Sequence, residues 1–414
     1  MAKSNKLIFI LLFLCFSFLL HANDLPADLP QPPELFSKAA ILYDFNSGFL
    51  LYEKNADEII SPASMVKLMT LHIVFNAVRE GRLSLNQYIP ISNQASFKSS
   101  PPKSSLMFLE NGQIVTLLEL MKGLAVSSGN DAGIAVAEAV AGSVPAFVDL
   151  MNKEAKKLGL EKTYFVDTSG YSENNQTTAR EFAKFCFFYI KENPDAIPML
   201  HSLTEFTYPQ RKNIPPGGTS SLGPITQTSN NTLLGKIDGV DGLKTGYIVE
   251  SGYNIALTAK REGRRLLAVI MGCPRENGKE NRTLDGEALL SYGFDNFKTF
   301  YPALPKLLKN RVYKGNVKKV ELTVKVPAIT LPVHDVDKIS WEIEWGAPLV
   351  APFAAGKEAG KIRLLDKKGA LIFSRTIVTA DKVEKGSLLR RFCDSILLLF
   401  KKIFSCNNAW NYTD

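Results

Sequence analysis

A helical pattern begins in the stretch Pro62-Ala-Ser-Met-Val-Lys-Leu-Met-Thr70, which contains Ser64 and Lys67 three positions apart. That spacing predicts that both side chains lie on one face of a helix, so that the amine reaches the hydroxyl. A lysine that is partly desolvated beside other cations loses its proton near neutral pH and acts as a base toward serine. Alone the pair is a weak signal, because S-x-x-K occurs again in Ser100-Pro-Pro-Lys103, where two prolines disfavour a helix.

Two further short motifs follow along the chain. Ser128-Gly-Asn130 lies between two helical patterns, and Lys244-Thr-Gly246 lies at the start of a predicted strand. A lysine and a hydroxyl at a strand edge are suited to holding a carboxylate, and a glycine there lets a substrate backbone approach closely. Each motif alone is typical of ordinary turns and caps. Their combination in this order is far more specific.

The three motifs in this order resemble those of the penicillin-recognising serine acyl-transferases. The wider strings that sharpen the resemblance are Ser127-Ser-Gly-Asn-Asp-Ala132, Val240-Asp-Gly-Leu-Lys-Thr-Gly246 and Ser251-Gly-Tyr-Asn254. With them the chain is similar to the serine-type D-alanyl-D-alanine carboxypeptidases, the low-molecular-mass penicillin-binding proteins. The resemblance covers nearly the whole chain. It implies removal of the terminal D-alanine from peptidoglycan stem pentapeptides, without a cofactor or metal, and covalent inhibition by penicillin and other β-lactams.

The resemblance also implies individual roles. The implied catalytic residues are Ser64, Lys67, Ser128 and Asn130, and the implied substrate-binding residues are Lys244, Thr245, Gly246 and Tyr247. The first serine attacks the carbonyl between the last two D-alanines, and the first lysine takes its proton. The second serine, with the asparagine and that lysine, passes a proton to the departing D-alanine. The second lysine and the threonine bind the terminal carboxylate, and backbone N–H groups of Ser64 and Tyr247 form the oxyanion hole.

Two positions depart from the family pattern. Tyr247 occupies a place where relatives often have histidine, which implies an altered deacylation rate or pH optimum. Met65 and Val66 are bulkier than the usual residues between the serine and the lysine, and this difference indicates packing only.

The remaining patterns predict an α+β fold, in which helices pack on an antiparallel sheet over residues 35–295. The resemblance implies that this region is a penicillin-binding or β-lactamase-like catalytic domain. A hairpin is predicted at 39–45 and 49–52, helices after Pro62 and at 116–126, 132–140 and 145–158, and strands between 240 and 271. Period-two alternation at 320–326 and 339–345 predicts a small all-β domain over residues 305–382.

Both ends of the chain indicate export to a membrane surface. Residues 1–22 are typical of a signal peptide, with Lys3 and Lys6 before a 14-residue apolar run and a small Ala22 at its end; an uncleaved anchor is the alternative. Residues 386–406 predict an amphipathic helix whose apolar half, rich in Phe and Leu, suits a membrane interface. Packing on a domain is the ordinary alternative. The expected location is the periplasmic face of the bacterial inner membrane.

Composition excludes several other functions. The formal charge is +8 and falls to +6 without the signal peptide. The C-terminal helix carries half of the remainder, so no basic groove for nucleic acid is predicted. Only three histidines follow the signal peptide, with no C-x-x-C or H-x-x-x-H, which disfavours a zinc site and a Ser-His-Asp hydrolase. The few cysteines do not form a disulfide framework, and the state of Cys393 and Cys406 stays open.

Three alternative functions compete with the carboxypeptidase. A serine β-lactamase would deacylate with the glutamate of an E-x-x-L-N string, which is absent between residues 131 and 243. A D,D-endopeptidase or transpeptidase uses the same nucleophile, and acceptor choice depends on pocket shape. A weakly catalytic penicillin-binding scaffold for cell shape is disfavoured by the complete set of motifs.

Overall fold

The structure is a computed structural model that describes residues 31–404 except 215, 218–219 and 306–308. The predicted signal peptide, residues 1–22, lies outside the described residues, as do residues 405–406 of the predicted C-terminal segment. The chain divides into two compact units, with the boundary between Phe297 and Lys298.

The first unit contains six α-helices among its described residues. They are α1 (Lys67–Arg79), α2 (Leu117–Lys122), α3 (Asn130–Ala141), α4 (Val144–Lys157), α5 (Ala179–Glu192) and α6 (Gly278–Asn296). Its strands are β1 (Ala39–Asp44), β2 (Leu50–Lys54), β3 (Tyr88–Pro90), β4 (Ile114–Thr116), β5 (Glu205–Tyr208), β6 (Ile225–Thr228), β7 (Val240–Ile248), β8 (Gly252–Arg261) and β9 (Arg264–Cys273). Short 3₁₀ turns cover Ala63–Val66, Phe97–Ser99 and Arg211–Asn213, and π-helical turns cover Gly123–Ser127 and Ile197–His201.

A five-stranded antiparallel sheet, in the order β2-β1-β9-β8-β7, forms the centre of this unit. Alternate residues of a strand point to opposite faces. Ile41 therefore packs into one core with α1 and α5, while Leu42 packs into a second core with Leu289 of α6. Both faces of the sheet are covered by helices, which confirms the predicted α+β class.

Local sequence signals explain several helix starts. The Ser143 side chain accepts a hydrogen bond from the Ala146 N–H and caps α4. Thr116 and Glu119 form a reciprocal capping box at the start of α2. The helix predicted over 116–126 differs in its second half, where the chain widens into the π-helical turn Gly123–Ser127.

The described residues of the second unit form a small all-β domain followed by one helix. Its strands are β10 (Phe297–Phe300, beginning at the boundary), β11 (Lys309–Tyr313), β12 (Lys319–Thr323), β13 (Ile329–Pro332), β14 (Ser340–Trp345), β15 (Leu349–Val350), β16 (Glu358–Leu365) and β17 (Leu371–Thr379). A six-stranded sheet has the order β14-β16-β17-β12-β11-β15. A 3₁₀ turn covers Val333–Lys338. The strand predicted over 320–326 ends earlier, at Thr323, so its alternating pattern continues into irregular backbone.

The C-terminal helix, α7 (Leu388–Phe404), contacts the β domain through its polar side. The Asp394 carboxylate is only 6% exposed and accepts a hydrogen bond of 2.6 Å from the Lys314 N–H, with Arg311 and Arg390 each 3.7 Å away. Seven large apolar side chains of α7 are 41–80% exposed, and we call them the apolar stripe: Leu388, Leu389, Phe392, Ile396, Leu397, Leu399 and Phe400. The helix thus turns its polar side toward the protein and its apolar side outward.

In the described part of the chain, no individual helix combines the length and apolar composition needed to cross a membrane. Among the described helices, the pair α3 and α4 meets those criteria when taken together, and the two are bent by 82° relative to each other. Both helices contribute buried residues to the core of the first unit, which is the ordinary reason for such composition in a core helix.

Candidate active site

Ser64 lies in the 3₁₀ turn that precedes α1, and its side chain is only partly buried. Two glycines press against this turn. A Cβ atom on Gly170 would lie 1.8 Å from the Ala63 carbonyl oxygen, and a Cβ on Gly246 would lie 3.2 Å from the Ser64 nitrogen. The backbone that presents the serine is therefore held from two sides by segments that only glycine allows to come so close.

Lys67, the first residue of α1, is fully buried and has three polar partners. Its Nζ lies 3.0 Å from Ser64 Oγ, 2.8 Å from Asn130 Oδ1 and 2.6 Å from the Ser169 carbonyl oxygen. The predicted reach of the amine to the hydroxyl is thus present, although the serine lies in the 3₁₀ turn before the α-helix. Residues from the first two motifs meet at this one nitrogen.

Burial lowers the pKa of Lys67 well below its ordinary value. The positive charge of Lys244 lowers this pKa further, whereas the carboxylates of Asp167 and Asp131 act in the opposite direction. Lys67 is therefore much closer to its neutral form at physiological pH than a lysine in water. A neutral amine is the form that acts as a base.

Ser128 lies on the turn between the π-helical turn and α3, and Asn130 is the first residue of α3. Ser128 has a left-handed backbone (φ 57°) and is 3% exposed, and its Oγ has no hydrogen-bond partner among the described residues. The next side chain, Asp131, fixes the turn, because its carboxylate accepts N–H groups of Met107, Phe108 and Leu109 at 2.8–3.0 Å. The turn aims its hydroxyl and amide groups inward from a well-anchored backbone.

The four predicted substrate-binding residues lie on β7, one of the two edge strands of the central sheet: Lys244, Thr245, Gly246 and Tyr247. The K-T-G motif is in the middle of this strand and not at its start, because β7 begins at Val240. Burial, together with the positive charge of Arg282, lowers the pKa of Lys244 to about 7. The neighbourhood therefore contains two buried cations and favours an anion.

Arg282 is a residue that the sequence did not single out. It lies on α6, is 3% exposed, and its Nε has no partner in the described part of the chain. Burial lowers its pKa to about 10. Motif spacing gave no signal for it; an arginine four residues after the start of a helix is ordinary in sequence, and only folding brings it near Lys244.

A second segment missed by the sequence runs from Asp167 to Gly170. The Asp167 carboxylate accepts N–H groups of Ser169 and Gly170, at 2.8 and 2.5 Å, and of Ser172 at 2.8 Å. This tight loop presents the Ser169 carbonyl to Lys67. Its string, Asp167-Thr-Ser-Gly170, reads as an ordinary turn.

Tyr247 is 41% exposed, and its ring packs against that of Tyr253 with 4.2 Å between centroids and a tilt of 35°. The Arg282 guanidinium lies 5.7 Å from the centroid of the Tyr253 ring. The Tyr253 ring thus lies between the ring of Tyr247 and the guanidinium of Arg282. Among the described residues no group of three His, Cys, Asp or Glu side chains is arranged to hold a metal ion.

An antiparallel sheet covered by helices on both faces, with a serine–lysine pair beside a lysine-bearing edge strand, defines a serine hydrolase of the penicillin-binding type. Comparison with known proteins narrows this class. The family model for D-alanyl-D-alanine carboxypeptidase matches residues 27–275, and that for the C-terminal domain of penicillin-binding protein 5 matches residues 298–385. The chain therefore belongs to the D-alanyl-D-alanine carboxypeptidase family.

Individual relatives are similar to this chain over almost its full length. The chain is 31% identical to the D-alanyl-D-alanine carboxypeptidase DacA of Haemophilus influenzae, over 97% of this chain and 99% of that relative. It is 32% identical to the D-alanyl-D-alanine carboxypeptidase DacC of Escherichia coli, over 90% and 91% of the two chains. The crystal structure of penicillin-binding protein 5 from Haemophilus influenzae superposes with a TM-score of 0.74 at 31% identity, over 86% of this chain and 100% of that one.

Proposed function

We propose that the protein removes the terminal D-alanine from peptidoglycan stem pentapeptides through an acyl-enzyme on Ser64, and that penicillin acylates the same hydroxyl. The observation that carries the proposal is the placement of the Lys67 amine between Ser64 Oγ, Asn130 Oδ1 and the Ser169 carbonyl.

The hydrogen-bonding capacities of these three partners support proton transfer from Ser64 to Lys67. An amide oxygen and a backbone carbonyl only accept hydrogen bonds, whereas a serine hydroxyl also donates. A neutral Lys67 amine has two N–H donors and one lone pair. When the donors serve Asn130 and Ser169, the lone pair is left for the Ser64 O–H. Deprotonation of the lysine thus points the base at the nucleophile.

The second and third motifs supply the remaining roles. The partnerless hydroxyl of Ser128, two residues from the Asn130 that binds Lys67, is suited to carry a proton to the departing D-alanine. Lys244 and Thr245 are suited to hold the terminal carboxylate, and the positive charge of the buried Arg282 lies near Lys244.

Gly246 supports the proposed oxyanion hole. It brings the edge strand against the Ser64 nitrogen, so that the N–H groups of Ser64 and Tyr247 are candidates to stabilise the tetrahedral intermediate. No metal or cofactor takes part in these steps.

Ser64→Ala tests the proposal. This variant should lose covalent labelling by fluorescent penicillin and release of D-alanine from a pentapeptide. The matched control is Ser100→Ala, which alters the other S-x-x-K string and should keep both activities. Labelling or D-alanine release by Ser64→Ala would refute the assignment. Product analysis on purified muropeptides separates carboxypeptidase from endopeptidase and transpeptidase activity, and D-alanine is the expected product.

We also propose that the protein is exported, with residues 1–22 removed as a signal peptide, and is held at the periplasmic face of the inner membrane by residues 386–406. The supporting observation is the orientation of α7, whose apolar stripe is exposed while Asp394 contacts the β domain. A helix packed on its domain in the ordinary way would bury that stripe. Leu398, which falls outside the apolar half of the helix, is partly buried on the same side as Asp394.

Vesicle flotation tests the membrane proposal. The mature chain should float with vesicles of phosphatidylglycerol and phosphatidylethanolamine, whereas a chain ending at Gly386 should stay in solution and remain active. Phe392→Glu places a charge on the apolar stripe and should weaken binding. Ser395→Glu adds the same charge outside the stripe and is the control. Flotation of the truncated chain would contradict the proposal.

A further inference from the structure

His201 is a buried histidine for which the proposed mechanism has no role. It ends the π-helical turn Ile197–His201, is 3% exposed, and packs against the strand that carries the K-T-G motif. A Cβ atom on Gly242 of that strand would lie 3.0 Å from the His201 Cβ. The imidazole therefore lies directly against the β7 backbone, two residues before Lys244.

Both ring nitrogens of His201 have a partner. Nδ1 lies 3.1 Å from the Leu243 carbonyl oxygen, and Nε2 lies 2.8 Å from the Tyr189 hydroxyl oxygen. Because a carbonyl only accepts, Nδ1 carries the hydrogen and donates it to Leu243. Burial lowers the pKa of His201 to about 3, so the ring is neutral and Nε2 accepts the hydrogen bond from the Tyr189 hydroxyl. One tautomer fits both partners.

These contacts tie the edge strand to the helical side of the unit. β7 has β8 as its neighbour on one side, and it forms the end of the sheet on the other. The imidazole reaches Leu243, the residue immediately before Lys244, and Tyr189 belongs to α5. The backbone next to Lys244 is thus linked through the side chains of His201 and Tyr189 to a helix of the core.

We propose that His201 is a positioning residue for Lys244, whose Nδ1–H holds the Leu243 carbonyl so that the lysine ammonium stays aligned with the terminal carboxylate of the substrate. The inference rests on the proposed function, because it concerns the carboxylate site assigned there. It assigns to His201 no contact with the substrate. Loss of the link should weaken carboxylate recognition and leave acyl transfer itself nearly intact.

Two amide variants separate the contacts of the two ring nitrogens. The amide nitrogen of an asparagine is bonded to Cγ, as Nδ1 is, so His201→Asn keeps a donor for Leu243. In His201→Gln the amide lies one atom further out, near the Nε2 position, so it keeps a partner for Tyr189 and leaves the carbonyl unpaired. The loss of one buried hydrogen bond predicts a KM about tenfold higher for His201→Gln. We expect kcat within about twofold of the parent, and rescue of KM in His201→Asn.

The substrates are a synthetic peptide ending in D-Ala-D-Ala and the same peptide with a C-terminal amide. The parent should prefer the free acid, and this preference in kcat/KM should fall about tenfold in His201→Gln but not in His201→Asn. Equal loss on acid and amide, or equal behaviour of the two variants, would overturn the proposal and leave His201 with a packing role. If the parent releases nothing from either peptide, the proposed function fails instead.

Thermal unfolding of each variant establishes that it is folded before kinetics are measured. If His201→Gln does not fold, Tyr189→Phe replaces it in the test, because it removes only the hydroxyl that holds the imidazole. That variant should raise KM for the free acid about threefold and lower the acid-over-amide preference to a similar extent. An unchanged preference in Tyr189→Phe would count against the proposal.

Discussion

Replacing Gly170 with alanine should stop acylation of Ser64, although Gly170 has no side chain that takes part in the chemistry. Its Cβ would lie 1.8 Å from the Ala63 carbonyl oxygen and 2.8 Å from the Ser64 nitrogen. Ordinary contact begins at 3.4 Å, so the turn and the loop must separate by about 1.6 Å. That movement displaces the nucleophile itself.

Two effects contribute to the expected magnitude. Gly170 has a left-handed backbone (φ +76°), which costs an alanine roughly 1–2 kcal/mol in stability. Misplacement of reacting groups by about 1 Å lowers rates by roughly 10²-fold. The rate of acylation by penicillin should therefore fall at least about 100-fold. This loss comes from the displaced nucleophile and is larger than the backbone cost of the alanine would produce.

A matched glycine separates the two effects. Gly142 has nearly the same backbone (φ +78°), with nothing within 4 Å of an added Cβ. Gly142→Ala should lose similar backbone stability and keep the parent acylation rate. The assay is the rate of labelling by fluorescent penicillin, with thermal unfolding of both variants alongside. If Gly170→Ala remains folded and labels as fast as Gly142→Ala, the glycine contact does not position the serine.

Three further outcomes are expected. Burial and the positive charge of Arg282 both depress the pKa of Lys244, so Arg282→Met should raise this pKa above about 7. The alkaline fall in kcat/KM, where Lys244 loses its charge, should then move to higher pH in a pH–rate profile. Asp131→Asn removes the acceptor of two backbone N–H groups when its amide nitrogen takes the place of Oδ2. This change should lower the free energy of unfolding by about 3 kcal/mol or more. The measurement is a urea titration, and an unchanged midpoint would contradict the prediction. Asp394→Asn should loosen α7 from the β domain and speed proteolysis near Ser387, with penicillin labelling unchanged; equal cleavage of parent and variant would count against the docking.

The motifs were readable from the sequence because each combines reactive residue types at a short fixed spacing. Ser64 and Lys67 are close in the chain, and the structure adds only that a 3₁₀ turn presents the serine. The α+β class was equally accessible, because strand and helix periodicities differ.

Contacts between distant segments could not be read in this way. Ser169 reaches Lys67 through a backbone carbonyl, and every residue has one, so its identity gives no signal. Arg282 and His201 are single residues far from the motifs in sequence, and their relevance depends on which strand they meet after folding. The amphipathic pattern predicted α7, but it was the partners of Asp394 that determined which side faces the protein.

Charged side chains contribute to the attachment of α7 to its domain, because Asp394 lies near Arg311 and Arg390 and the apolar stripe faces outward. Ion pairs near 3.7 Å at a partly exposed site weaken as ionic strength rises, whereas attraction between apolar stripes of different molecules is strengthened by salts such as sulfate. Raising salt should therefore weaken these two ion pairs, although the hydrogen bond from the Lys314 N–H remains, and should strengthen the association of exposed apolar stripes. During purification, sulfate precipitation should drive the chain into self-associated particles, and low salt with detergent should keep it monomeric.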